Sequence, residues 1–232
     1  MQKYIDAHCH IGNGVTDGSV AAFFCNSVSE SDWSDILSTS KHNPAVLPCL
    51  GVHPWYINDI VAGWDARLYN ALVKNPRAMV GEIGLDKLRP HYDIQMDVFM
   101  RQMQIANDLQ RVVHIHCVRA WNDILTCTKF KVPAIVLHGF TGMRDVMLQL
   151  GRRDNIYFSF GCAVCDARRA RLMSAVCDVP LSRILIESDG DMCNSGAVLR
   201  DVINRIAEIK HISPDDLSGN IYNNSIQVAQ NG

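Results

Sequence analysis

The sequence contains no long hydrophobic run. None of its apolar segments approaches the ~20 residues that a helix needs to cross a bilayer. It also lacks an excess of charge of either sign, because it has 22 basic and 24 acidic residues and therefore a net charge of −2. A protein that coats a nucleic-acid duplex is usually basic, since the release of counterions from phosphates drives such binding. The composition therefore argues against a membrane protein and against an extended nucleic-acid groove, but it is compatible with a pocket for one strand end.

The nine cysteines do not form the even, closely spaced set of a secreted disulfide framework. They are spread through apolar segments, where reduced thiols act as small hydrophobic side chains. The chain runs from Met1 directly into an apolar segment without a signal sequence, so we expect a cytoplasmic protein. Internal repeats, low-complexity tracts and proline-rich linkers are also absent. We expect one domain over residues 1–232, and no segment predicts an obligate protein partner.

Short apolar runs rich in Val, Ile and Phe alternate with segments of helical periodicity. Hydrophobic residues make up 48% of the chain, which is enough for a sizeable core. Strands that alternate with helices indicate βαβ units and a parallel sheet. Eight such strands in a chain of this length indicate an α/β fold of the TIM type, a (β/α)8 barrel. The predicted strands are KYIDAHCHI, SVAAFFCNSV, AVLPCLGVHP, AMVGEIGLD, RVVHIHCV, AIVLHGF, NIYFSFG and RILIESD.

The connection between the first two predicted strands is unusually short. Only GNGVTDGS, residues 12–19, joins them, and a crossover helix needs more residues than this. We therefore predict a degenerate first βα crossover. Elsewhere the helical signals are clear. The longest helix is predicted in DIQMDVFMRQMQIANDLQ, and the last begins at Pro214, because proline is favoured in the first turn of a helix.

The first predicted strand carries two histidines on one face. His8 and His10 are two residues apart, and side chains at that spacing share a face of a strand. Active sites of such barrels lie at the carboxyl ends of the strands. Four other predicted strands also end in a histidine or an acid. The candidate metal ligands are His8, His10, Glu82, His116, His138 and Asp189.

These six side chains have the chemistry of a metal centre. Imidazoles and carboxylates are the usual protein ligands of Zn, Mn or Fe ions. An acid buried without a partner is costly, and a metal ion would supply that partner. Six ligands are more than one catalytic ion needs, which favours two ions that share a bridging carboxylate.

Six motifs occur in the order found in one known family. DAHCHIG, GVHPW, GEIGLD, HIHCVRAW, VLHGFTG and ESD resemble the motifs of the TatD-related metal-dependent hydrolases, within the amidohydrolase superfamily. The resemblance runs from about Asp6 to Asp189. It implies a metal-dependent barrel typified by deoxyribonucleases that remove nucleotides from DNA ends. It also implies two divalent ions as cofactors, with Zn, Mn and Mg as candidates, and a nucleic-acid strand end or a small phosphodiester as the substrate.

The resemblance further implies a role for each candidate ligand. Asp189 resembles the ligand that also orients the attacking water, so Asp189 and Glu82 are the expected catalytic residues. The remaining roles that it implies are ligation of the first ion by His8 and His10, ligation of the second ion by His116 and His138, and a bridge between the two ions through Glu82.

Three residues beside this set are expected to contact substrate. His53 looks similar to a family histidine that lies near the substrate rather than serving as a firm ligand. Arg119 follows a strand end, at the rim of the predicted barrel. Trp55, with Tyr56 beside it, could stack on a base, because each such stack contributes about 1–3 kcal/mol. Packing of these aromatic rings under a loop is an equal alternative.

The chain departs from the family pattern at the same rim. Cys117 and Val118 stand where family members usually have Ser and Arg. The loop GDMCNSG, residues 190–196, is shorter than in the family and acidic at Asp191. Both departures lie where substrate is expected and leave the predicted metal ligands intact.

Other polar residues have less specific explanations. His114 is expected to make a hydrogen bond in the core rather than to bind metal. Asp6 either orients a ligand imidazole or bonds to a neighbouring strand. CAVC, residues 162–165, has the spacing of a zinc knuckle but no second pair, so we do not expect a metal there. The basic run contains Arg168, Arg169 and Arg171. We expect these side chains to form a solvated face, and attraction of a phosphate backbone is the less favoured alternative.

The leading hypothesis is a metal-dependent phosphodiesterase that acts on nucleic-acid ends. A divalent ion lowers the pKa of bound water from about 15.7 to roughly 7, so hydroxide can attack phosphorus or a carbonyl at neutral pH. Asp189 would hold that water and accept its proton. One alternative is hydrolysis of a small amide, lactone or ester at the same site. The non-enzyme alternative is a metal-binding protein without turnover, which a water-orienting Asp189 argues against.

Overall fold

Eight parallel strands in chain order form one sheet that curls into a barrel. The computed structural model describes residues 3–12, 18–127, 129–192 and 195–231. The predicted TIM-type barrel is confirmed, and each predicted strand is present. The strands are β1 Tyr4–Cys9, β2 Val20–Asn26, β3 Val46–Leu50, β4 Met79–Asp86, β5 Val113–Val118, β6 Ile135–Leu137, β7 Ile156–Phe160 and β8 Ile184–Ile186.

Helices follow the later strands as the sequence predicts. The last one begins at Pro214, and the hydroxyl of Ser213 caps it by accepting a hydrogen bond from the backbone N–H of Asp216 at 3.1 Å. The second helix was not predicted, although Leu68 and Leu72 in it are buried. The helices are α1 Trp33–His42, α2 Trp64–Lys74, α3 Tyr92–Leu109, α4 Trp121–Cys127, α5 Arg144–Leu150, α6 Ala170–Asp178, α7 Ser195–Lys210 and α8 Pro214–Gln230.

The first two strands are parallel neighbours despite their short connection. Residues 13–17 of that connection lie outside the described part of the chain, and the predicted degenerate crossover falls largely on them. The described residues on either side, 10–12 and 18–19, are not helical.

A buried core joins the sheet to the surrounding helices. One large cluster contains Phe23 and Ile115 from the strands together with Ile36, Phe99 and Leu199 from the helices. Such packing fixes the strands relative to one another, and with them the residues at their carboxyl ends. No helix in the described ranges is long and apolar enough to span a membrane.

The segment after β8 pairs with β1 and brings the barrel close to closure. The backbone N–H of Asp189 donates to the carbonyl of His8 at 3.1 Å, and the N–H of His10 donates to the carbonyl of Gly190 at 2.8 Å. Two histidines of the first strand are thereby held beside the acid that follows the last strand.

The carboxylate of Asp6 stabilises this junction through hydrogen bonds. Its Oδ2 accepts a hydrogen bond from the Ser188 hydroxyl at 2.6 Å, and its Oδ1 accepts from the backbone N–H groups of Ser188 at 3.0 Å and of His8 at 3.3 Å. Complete burial raises the pKa of Asp6 to about 6, although these hydrogen bonds oppose the rise. Of the two predicted alternatives for Asp6, the bond to a neighbouring segment is the one observed.

We expect Asp6→Ala to lower the free energy of unfolding by about 1–3 kcal/mol, because the Ser188 donors would lose their acceptor. Urea unfolding followed by circular dichroism measures this loss. Asp65→Ala is the matched control. It removes an exposed partner of Arg101 and should change stability little. If Asp6→Ala lowers the free energy of unfolding no more than the control does, the hydrogen bonds of Asp6 do not stabilise the junction.

Candidate metal centre

The six predicted ligands meet at the carboxyl-terminal rim of the barrel, although not all of them end a strand. Glu82 was expected at the end of its strand, but β4 continues four residues beyond it to Asp86. The pairing of β4 with β5 shifts register between Val80 and Ile83, next to Glu82. Such an irregularity changes the direction of a side chain relative to an ideal strand. The prediction of a strand end was therefore wrong, while the prediction of convergence was right.

A glycine permits the close approach of β4 to β5. The φ of Gly84 is 153°, and a Cβ atom there would lie 2.0 Å from the carbonyl oxygen of His116. A side chain at this position would therefore push apart the strands that carry Glu82 and His116. The second glycine of the GEIGLD motif thus serves the geometry of the centre.

One oxygen of Glu82 faces a first group of ligand atoms. Its Oε2 lies 3.3 Å from His8 Nε2 and 3.9 Å from His10 Nε2. Asp189 Oδ1 completes the group, at 4.0 Å from His8 Nε2 and 3.8 Å from His10 Nε2. Four donors bound at about 2.1 Å around a tetrahedral ion lie roughly 3.4 Å from one another. The spacing of these four atoms is close to that of a metal site.

The other oxygen of Glu82 faces a second group. Three imidazole nitrogens surround Oε1: His116 Nδ1 at 2.9 Å, His138 Nε2 at 3.4 Å and His53 Nε2 at 3.4 Å. Sets of three ligand atoms within 4.8 Å of one another occur on both sides of the carboxylate, in His8–His10–Glu82 and in His53–Glu82–His116, and a third set joins His8 and His138 to Asp189. The arrangement is that of a carboxylate able to bridge two ions.

Polar contacts on the far sides of two rings orient them for ligation, a hydrogen bond for His10 and an ion-pair contact for His138. His10 Nδ1 lies 3.0 Å from the carbonyl oxygen of Asn26, and His138 Nδ1 lies 3.0 Å from Glu187 Oε1. A proton on each Nδ1 leaves the Nε2 lone pair facing Glu82, as in metal-bound histidines.

His53 has the opposite orientation. Its Nδ1 accepts a hydrogen bond from the backbone N–H of Trp55 at 3.2 Å. The neutral ring therefore carries its proton on Nε2 and presents a donor to Glu82. Whether His53 is a ligand stays a prediction, because its ring nitrogen also belongs to a candidate group with Glu82 and His116.

The buried rings leave polar atoms without protein partners. Both ring nitrogens of His8, and Nε2 of His116, are buried and make no hydrogen bond within the described part of the chain. Buried polar groups normally find partners. An ion between His8, Glu82 and Asp189 would complete the coordination of His8, so the residues present fit a divalent metal.

The charges of the centre depend strongly on one another. Burial alone would raise the pKa of Glu82, but His138, His8 and their neighbours hold it well below its ordinary value. Burial disfavours the charged form of His138, yet Glu187 and Glu82 flank the ring and raise its pKa to about 10. Burial, together with the nearby charge of His138, lowers the pKa of His8. Without an ion, the cluster therefore holds a proton on His138.

Glu187 is a candidate site residue that was not predicted from the sequence. It is fully buried, and its Oε1 accepts a hydrogen bond from the N–H of Gly139 at 2.7 Å in addition to facing His138. The φ of Gly139 is +52°, a conformation that favours glycine. A signal was available, since Glu187 lies two residues before Asp189 in the same ESD motif.

Trp55 lies beside the second group of ligands with a fixed orientation. Its indole N–H donates to Asp86 Oδ2 at 2.7 Å, and the Arg89 guanidinium lies 4.1 Å from the ring. The ring centroid is 5.1 Å from that of His53 and 6.2 Å from that of His116, yet the residue is 48% exposed. The structure thus presents an exposed aromatic ring at the edge of the centre.

Other predicted residues lie away from the ligand atoms. Arg119 follows β5 at the same rim, but its exposed side chain makes no hydrogen bond or ion pair within the described residues. The core hydrogen bond expected for His114 is not found in the described part of the chain, and burial keeps its pKa well below the ordinary value. Cys162 and Cys165 of the CAVC motif are exposed free thiols, and no candidate metal group among the described residues includes them.

The family model of the TatD related DNases matches residues 5–230. This chain belongs to the TatD-related DNase family. The recognition made from the motifs is confirmed, and with it the class of metal-dependent hydrolase. The number and identity of the ions remain predictions.

Known proteins are similar to this TatD-family chain, in sequence or in structure, over most of its length. The tatdn3 protein of Danio rerio is 29% identical in an alignment that covers 91% of each chain. The 3'-5' ssDNA/RNA exonuclease TatD of Escherichia fergusonii is 31% identical over 156 residues, covering 65% of this chain and 60% of that protein. The crystal structure of the TatD homolog YJJV from Escherichia coli K12 superposes with a TM-score of 0.87 over 98% of each chain at 20% identity. This likeness shows the shared fold.

We expect metal binding to release a proton near pH 7, because His138 has a pKa of about 10 in the ion-free centre and must be neutral to bind metal. Apparent affinity for Zn²⁺ or Mn²⁺ should rise between pH 6 and 8, by about tenfold per pH unit for each proton displaced. Calorimetry in buffers of different ionisation enthalpy counts the protons released.

Glu187→Gln should reduce the proton release, because it removes one of the two carboxylates that hold the proton on His138. Glu208→Gln, at an exposed position of α7, is the matched control and should behave like the wild type. Metal binding by the wild-type protein without proton release would show that His138 does not carry the proton.

Proposed function

We propose that this chain is a metal-dependent phosphodiesterase that hydrolyses bonds at nucleic-acid strand ends. The observation that carries the proposal is the division of the Glu82 carboxylate between two groups of ligand atoms. Two ions about one carboxylate suit the in-line displacement of a phosphoryl group. The substrate class is supported by the Escherichia fergusonii relative, which is named a 3'-5' ssDNA/RNA exonuclease.

Two divalent ions of the Zn, Mn or Mg class are proposed as cofactors. When bound, such ions acidify water and neutralise charge on phosphoryl oxygens. Glu82 would bridge them through its two oxygens. The proposed ligands of the first ion are His8, His10 and Asp189, and those of the second are His116 and His138.

Asp189 is proposed to orient the attacking water and to accept its proton. Its side chain is 53% exposed while His8 is fully buried, so Asp189 forms the solvent side of the first group. A water molecule can reach its free oxygen from the rim. The left-handed backbone at Asp189, with φ of 51°, is held by the pairing with β1.

His53 and Trp55 are proposed to contact the substrate strand. The Nε2–H of His53 would donate to Glu82 or to a phosphate oxygen, because its Nδ1 already accepts from Trp55. The exposed Trp55 ring offers a stacking surface for a base next to the scissile bond. Arg119, at the same rim, would attract the phosphates.

A substrate panel tests the proposal. The purified protein is loaded with Mn²⁺, Mg²⁺ or Zn²⁺ and given bis(p-nitrophenyl) phosphate, end-labelled single-stranded DNA and RNA, and simple esters and amides. Release of mononucleotides from one strand end is the expected result. Turnover of an ester or amide with no cleavage of any phosphodiester would overturn the proposal in favour of carbonyl chemistry.

Asp189→Asn is expected to lower kcat by about 10²–10⁴-fold, the range of general acid–base catalysis, while much of the bound metal is retained. Steady-state kinetics and metal analysis of the same preparation measure both effects. Asp201→Asn, at an exposed position of α7, is the control. Full activity of the Asp189 variant would contradict its assigned role.

Trp55→Ala is expected to raise KM for an oligonucleotide by about 5–150-fold, which corresponds to the loss of one base stack of about 1–3 kcal/mol. Hydrolysis of bis(p-nitrophenyl) phosphate should change little, since that substrate has no base. Tyr69→Ala, at an exposed aromatic residue of α2, is the matched control. An equal loss on both substrates would contradict stacking and indicate damage to the centre.

We further propose that residues 1–232 form one domain with a cytoplasmic location. The match of the family model to residues 5–230 supports the single domain. Cys9, Cys25, Cys49 and Cys117 are buried free thiols, which supports a reducing compartment.

A further inference from the structure

A groove of about 380 Å³ lies near the metal centre but shares none of its residues. It is lined by Thr141 and by residues 168–172. Thr141 follows β6, and residues 168–172 follow β7 and run into the start of α6. Both segments leave the carboxyl ends of their strands, so the groove lies at the same rim as Glu82.

The groove is positively charged in a chain that is negative overall. Segment 166–171 contains three arginines and one acid, Asp166, while the whole chain has a net charge of −2. The Asp166 carboxylate pairs with Arg168 at 2.9 Å and lies 3.7 Å from Arg169. Arg171 is exposed and has no ion pair within the described residues. An excess of two positive charges therefore remains on this segment.

The arginines are available to a ligand. The side chains of Arg168 and Arg169 are 90% and 50% exposed. The groove also includes the first residues of α6, and no side chain caps the N-terminus of that helix. Uncapped N–H groups at a helix N-terminus favour an anion. Guanidinium groups and the hydroxyl of Thr141 supply further donors for phosphate oxygens.

The groove lies within reach of a strand bound at the centre. Thr141 is three residues beyond His138, so their Cα atoms are at most ~11 Å apart. A phosphodiester strand with its end at the ions has further phosphates at regular intervals along its length. A local positive surface would attract those phosphates.

We propose that this groove binds the phosphodiester backbone of the substrate strand beyond the scissile bond. The inference rests on the proposed nuclease function, and it adds a second point of attachment that a mononucleotide cannot use. Arg169 and Arg171 are the principal contacts, because Arg168 is engaged by Asp166. For the arginines of this segment we therefore favour contact with a phosphate backbone over a solvated face, which was the expectation from the sequence.

Binding of a fluorescent single-stranded 12-mer in EDTA tests the groove without turnover. The double variant R169Q/R171Q should bind about tenfold more weakly than the wild type at low salt. Each lost phosphate contact reduces the slope of log affinity against log salt by about 0.7, so the slope should flatten by about 1.4. The matched control is R77Q/R152Q, whose arginines precede β4 and β7 at the opposite end of the barrel.

An unchanged affinity and salt slope in R169Q/R171Q would overturn the proposal, as would an equal loss in R77Q/R152Q or a wild-type protein that does not bind the 12-mer. Turnover of bis(p-nitrophenyl) phosphate in the same variants separates this inference from the proposed function. Unchanged turnover with weakened strand binding is the expected result. If the wild-type protein cleaves no phosphodiester, the proposed function fails, while the binding measurement still decides whether the groove holds a strand.

Discussion

The centre depends on one carboxylate buried among imidazoles. Burial of the Glu82 charge is unfavourable, and only the rings that surround both of its oxygens keep its pKa low. Their nitrogens lie between 2.9 and 3.9 Å from the carboxylate. His8 and His10 belong to the β1 segment and the other rings to later strand ends, so the carboxylate is stabilised only when the barrel is assembled. Fold and site therefore depend on the same contacts.

The junction between β8 and β1 determines where Asp189 lies relative to His8. Asp6 holds Ser188, and the following Asp189 pairs through its backbone with His8. The Asp189 carboxylate, which we propose to be catalytic, is therefore positioned by a hydrogen-bond network one layer below it. Glu187 belongs to the same short segment and holds the far side of His138. Three consecutive residues thus close the barrel, orient one ring and present the acid to solvent.

Much of the site could be predicted because strand periodicity determines which side chains share a face. His8 and His10 converge for that reason, and the barrel places the carboxyl ends of the strands at one rim. Alternation alone does not reveal bulges, so Glu82 was expected at a strand end although β4 continues to Asp86. Strand alternation also does not reveal which carboxylate contacts a given imidazole, and Glu187 was therefore not predicted. The orientation of His53 depends on a backbone N–H that only the folded chain brings to it.

We propose that Glu82 holds two ions, one beside each of its oxygens. Anomalous diffraction from crystals of the Mn²⁺- or Zn²⁺-loaded protein tests it most directly. We expect two anomalous peaks on opposite sides of Glu82, one against His8 and His10 and the other against His116 and His138. Strong peaks elsewhere, with none within bonding distance of Glu82, would contradict it.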